Sequence, residues 1–324
     1  MRWDCNEDGD SAGERHSQRR AARIILATVP SLMLAACAPA TSTSSSRTYP
    51  TGPQIAYVVN GAGWVPFNLL RHSTSRAMTA PKVEAVTVAP GARTAYGIGH
   101  DGIVPIDLQT GAIGKPIAAM SDCQSIATGG SGQTIYVAGC GTNGADFTTI
   151  TPVDVKTGVA STPIAVPGGP EAVYVAPDGR TAYVGTNGAA TLSLVDLATG
   201  ALGKVISVPD GVGELAFSDD GTMAYATGNT DKGIGGGKQV SFVTPIDLRT
   251  GIAGTPIALM HDPYGIVVSP DGRTAYVTGG NVPVGIVGPP TPPDVTAINL
   301  VAGRVEATFS IPGGAGSIFN STSG

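Results

Sequence analysis

The chain has 324 residues, of which 46 are Gly and 25 Pro, with only 13 % charged and a formal net charge of −5. That length allows one large core, the Gly and Pro content belongs to a turn-rich all-β chain, and 42 % apolar residues are too many for a disordered body. The acidic balance works against nonspecific nucleic acid binding.

Residues 1–36 read as an export signal. Arg15, Arg19, Arg20 and Arg23 precede an apolar run from Ile24 to Ala36, too short to span a bilayer comfortably and suited to a signal-peptide core. The run ends in Leu34-Ala35-Ala36-Cys37, which resembles the lipobox of bacterial lipoproteins, and the resemblance implies that Cys37 is acylated and becomes the first mature residue. Residues 37–51, rich in Ser, Thr and Pro, cannot bury a core and read as a tether. The expected product is a folded body at 52–324, anchored by lipid to the outer side of a bacterial membrane.

That body repeats itself. The stretch Ser269-Pro-Asp-Gly-Arg-Thr-Ala-Tyr-Val277 has counterparts whose tyrosines are Tyr57, Tyr96, Tyr136, Tyr183, Tyr225 and Tyr276. An aliphatic residue stands ten positions before the last five of these, at Val86, Ile126, Val173, Leu215 and Ile266. Each unit reads as four short strands: an aliphatic first strand, a Pro-Asp-Gly turn, an Ala-Tyr-Val second strand, a variable loop, a third strand ending in Ile-Asp-Leu-x-Thr-Gly, and a fourth. Asp107, Asp154, Asp196 and Asp247 then serve the second turn by bonding their own backbone. Pro116, Pro163 and Pro256 fall in the fourth strand, where a missing N–H is tolerable only at an outer edge.

Units of this size and strand count predict a β-propeller of four-stranded blades. Ser269–Thr278 and Val243-Thr-Pro-Ile-Asp-Leu-Arg-Thr-Gly251 resemble the YVTN β-propeller repeats of surface-layer-type proteins, over residues 52 to 324. The resemblance implies binding or structural roles more often than catalysis and carries over no catalytic motif. Seven blades are commoner in such proteins; six are expected here. The final segment, Ser317 to Gly324, matches a first strand, and Gln54 to Val58 resumes at a second, so the two ends should complete one blade between them.

Length varies in one place. From each tyrosine to the Asp or Asn of strand three the spacing ranges from 11 to 23 residues, while from there to the next aliphatic position it is 18 or 19. Loops that vary on one face of a repeat array mark a binding face. That face collects carboxylates, Glu84, Glu171, Glu214, Asp262 and Asp294 among them. Glu84, Gln124, Glu171 and Tyr264 lie twelve residues before their repeat tyrosines and Glu214 eleven, all just ahead of the strands that should line the axis. The expectation is a ligand site at the channel mouth formed by Glu84, Gln124, Glu171, Glu214 and Tyr264 with help from His261. It would take a small molecule, a protein or a divalent cation. No cofactor is specified. The alternative is a metal-assisted, lactonase-like hydrolase using the same acidic mouth, although no nucleophile elbow, phosphate loop or His-Glu-x-x-His motif occurs. Cys123 and Cys140 flank the hairpin turn at Ser131 and Gly132 almost symmetrically, and export favours a disulfide between them. If Cys37 carries the lipid, Cys37→Ser will release the protein from the membrane fraction or block its processing, read by fractionation and by the mass of the mature chain.

Overall fold

The computed structural model describes residues 54–321, apart from 61–62, 80–82, 84, 89–92, 100–101, 118–122, 141–147, 187–189, 210, 231–239 and 281–293. Cys37, Glu84 and the longest variable loops lie outside the described residues. No helix occurs among those described. They form six antiparallel sheets, the blades of a six-bladed propeller, each running outward from an inner strand.

Blade 1 joins the two ends of the sequence. Its inner strand is Ile318–Ser321, followed outward by Ile55–Asn60, Gly63–Asn68 and Ser73–Thr74. Tyr57 lies opposite Phe319 and stacks on it with ring centroids 5.4 Å apart, and Trp64 meets the same Phe319 edge-on at 5.0 Å. The other inner strands are Val86–Val88, Ser125–Thr128, Pro170–Val175, Leu215–Phe217 and Asp262–Val268, in blades 2 to 6. Pro256 interrupts its outer strand rather than standing within it, separating Ile252–Ala253 from Ile257–Leu259 on the same neighbour. Pro116 and Pro163 likewise stand outside regular strand, because proline offers no N–H to the ladder.

The core is divided into six clusters, each between neighbouring blades. Tyr57, Trp64, Ala95 and Ile106 fill the seam between blades 1 and 2, and Ile98, Ile126, Ile135 and Val153 the next. Ile150, Val173 and Val184 join blades 3 and 4, and Leu192, Leu215 and Ile246 join 4 and 5. Val243, Ile266 and Val277 join 5 and 6, and Phe67, Tyr276 and Val295 close the ring between 6 and 1. The repeat tyrosine belongs to these seams. Tyr57 donates its hydroxyl to the carbonyl of Leu108 in the next blade at 3.3 Å, and Tyr276 donates to Leu69 at 2.6 Å. Burial raises the pKa of both phenols, that of Tyr276 to about 12, so they remain donors at neutral pH.

The turn between the third and fourth strands has the expected chemistry. The Asp107 carboxylate accepts the Thr110 N–H at 2.8 Å and its hydroxyl at 2.9 Å, and these bonds hold its pKa below the ordinary value. Asp154 and Asp196 accept the same pair of bonds from Thr157 and Thr199, and the Asp247 carboxylate accepts the Thr250 N–H while the Thr250 hydroxyl turns to the Asp247 carbonyl. The glycine ending this turn is left-handed, as at Gly111 and Gly251, but in blade 1 the place is taken by His72 at φ 50°. A left-handed residue with a side chain is strained. Here the imidazole is held by packing on Phe309 and by a 2.9 Å hydrogen bond between Nε2 and the Tyr276 hydroxyl. Cys123 is bonded to Cys140 across the first hairpin of blade 3.

Deleting residues 317–324 removes an inner strand and one wall of two seams. The truncated chain should lose its cooperative melting transition or aggregate, whereas Phe319→Ala in the full chain should cost about 3–5 kcal/mol and keep a single transition. Unaltered melting of the truncated chain would place ring closure elsewhere.

Candidate functional site

The inner strands surround one cavity of 840 Å³ running along the axis. At the constant-turn end its wall includes Gly130, Pro177, Asp219 and Pro270; at the variable-loop end it includes Gln124, Glu171, Glu214 and Tyr264. Four of the residues expected at the mouth therefore line the same space.

They arrive there through a recurring irregularity. Where the inner strands of blades 3 to 6 begin, two residues face one residue of the next strand, a β-bulge that interrupts pairing and re-aims side chains. Glu171 is skipped between the pairs Pro170↔Thr186 and Ala172↔Gly185, and Tyr264 between Pro263↔Gly279 and Gly265↔Thr278. Gln124 donates its N–H to Ala138, which also pairs with Ser125. In blade 5 Gly213 donates to the Thr227 carbonyl while Thr227 donates back to Glu214. Glu214 thus holds the second bulge position, where Gln124, Glu171 and Tyr264 hold the first. This is the physical origin of its eleven-residue rather than twelve-residue offset.

Glu214 is open to the lumen yet surrounded by protein. Burial pushes its carboxyl up to about 7, a rise partly offset by the nearby Tyr174 hydroxyl. Tyr174 comes from the neighbouring blade and donates to the Gly213 carbonyl at 2.7 Å, next to Glu214. Its own phenol is pushed well above the usual range, first by burial and then by the Glu214 charge. The corresponding positions of the other inner strands hold Thr87, Ala127, Ala216, Val267 and Phe319, so Tyr174 supplies the length and hydroxyl that cross from blade 4 to the mouth at blade 5. Sequence reasoning missed it; its only signal was being a polar aromatic at a position otherwise held by small or apolar residues.

His261 stands apart from this group. It is turned into the seam between blades 5 and 6, where Nε2 lies 2.7 Å from the Thr296 hydroxyl and burial lowers its pKa, leaving it neutral at pH 7. Its Nδ1 rests over Gly279, where a Cβ would come within 2.1 Å of it. Nearby, Asp262 accepts the Ser241 hydroxyl at 2.8 Å. Among the described residues no three His, Cys, Asp or Glu side chains are grouped as metal ligands.

No family model and no curated protein matches the chain. Solved structures do. A chain of hydrazine synthase from Kuenenia stuttgartiensis aligns at 22 % identity and TM-score 0.56, over 71 % of this chain and 66 % of that one. TolB from Acinetobacter baumannii aligns at 16 % identity and TM-score 0.60, over 82 % and 65 %. A chain of a nidogen/laminin complex aligns at 13 % identity and TM-score 0.61, over 84 % and 99 %. The chain is a β-propeller. At these identities the propeller fold is what the likeness shows, and the chain spans about two thirds of the length of the first two proteins.

The Glu214 environment predicts a pH dependence of stability. Between the ordinary carboxyl value of 4.5 and about 7 the folded protein holds a proton that the unfolded chain has lost, so stability falls as pH rises through that window and is flat above it. Glu214→Gln removes this component. The variant should melt like the wild type at about pH 5 and higher than it at about pH 8, measured by calorimetry.

Proposed function

We propose that this propeller is a non-enzymatic binding or scaffolding protein of the YVTN-repeat kind, held outside a bacterial membrane by lipid on Cys37, with its ligand at the variable-loop mouth of the channel. The observation that carries the binding reading is the convergence of Gln124, Glu171, Glu214 and Tyr264 on one axial cavity, each placed by a bulge. Bulges are maintained where a side chain must be re-aimed, and a cavity of this size is in the usual range for small-ligand sites. The nidogen/laminin complex is an assembly of two proteins, which supports a protein as a further kind of partner for the variable face. Export rests on the basic and then apolar run ahead of Cys37, and the Cys123–Cys140 bond suits an oxidising compartment.

The mouth offers acceptors, and its ligand should be a cation or a molecule rich in donors. Equilibrium dialysis of the full chain against Ca²⁺ and against maltose should show retention of at least one, lost when Glu84, Glu171 and Glu214 are all replaced by Gln while melting is not lowered. Equal retention by both proteins, or by neither, would put the site elsewhere.

A further inference from the structure

The lining of the channel narrows the ligand class, on the assumption that the channel is the binding site. Its carboxylates are Glu171, Glu214 and Asp219, and no Lys, Arg or His is among the described lining residues. A negative lumen with low-dielectric walls concentrates cations. Between its charged ends the wall carries an apolar stripe, with Val86, Val88, Val175 and Phe217 half-buried and open to the lumen, beside the hydroxyl side chains Thr87, Ser125 and Thr128. Two tyrosine rings, Tyr174 and Tyr264, share the cavity with Glu214, and aromatic faces attract organic cations. A bare metal ion would leave the apolar wall uncovered. A neutral apolar molecule would leave a carboxyl unpaired.

We propose that the channel binds an aliphatic ammonium ion, its NH₃⁺ group at Glu214 beside Tyr174 and its hydrocarbon body along the valine wall. The ammonium offers donors and a charge where the protein offers the Glu214 carboxyl and the Tyr174 phenol oxygen. The wall below takes up CH₂ groups. Because the cation favours the ionised carboxylate, binding near neutral pH releases part of a proton from Glu214.

Calorimetric titration of the full chain with propylamine through hexylamine at about pH 7 tests this, with hexanol as the uncharged comparator. Each added methylene should tighten binding about fourfold, hexanol should not compete with hexylamine, and the heat should vary with buffer ionisation enthalpy as proton release requires. Glu214→Gln should weaken hexylamine at least about tenfold. Tyr174→Phe, which keeps the ring and the packing, should weaken it less and leave the methylene increment intact. Hexanol binding as tightly as hexylamine, no binding by any amine, or an unchanged Glu214→Gln variant would overturn the proposal. Retention of Ca²⁺ or maltose without any amine binding would overturn this ligand class alone and leave the channel-mouth reading standing.

Discussion

Each blade is a sheet with two apolar faces and no covering layer of its own. Ala56 and Val58 look into one seam while Tyr57 looks into the other, and Ala275 and Val277 alternate with Tyr276 in the same way. A sheet buried on both sides must be sandwiched, and with no helix among the described residues each blade is covered by its neighbours. Repeating that requirement around a circle gives a ring in which each sheet covers its two neighbours. The six seams have to form together.

This explains why the architecture was legible in the sequence. The tyrosine, its aliphatic partner and the two turns recur because each seam needs the same fillers, and the buried phenols of Tyr57 and Tyr276 show what the tyrosine does. The turn aspartates read equally well, since their chemistry is local. The prolines read less well: the outer strand gives way at Pro256 instead of accommodating it, a choice set by the backbone of the neighbouring strand.

The site was legible in part because counting residues finds position along a strand and is blind to register shifts. Gln124, Glu171 and Tyr264 share an offset, and the structure puts them at one bulge position; Glu214 is displaced by one, and the displacement brings it beside Tyr174. Nothing local in the sequence announces that pairing, which depends on a side chain crossing from another blade. His261 differs from these. Its position in the chain suits the mouth, but the absence of a side chain at Gly279 gives the imidazole room to turn into the seam.

Blade 1 imposes an order of events. Its inner strand is separated by more than 250 residues of sequence from the strand it pairs with, so every other blade must be made before that contact can exist. Until then Tyr57 and Trp64 lack the ring of Phe319, and the cluster around Phe67 lacks Ile318. A chain emerging residue by residue from a ribosome would remain open and adhesive until residues 318–321 had followed the other five blades.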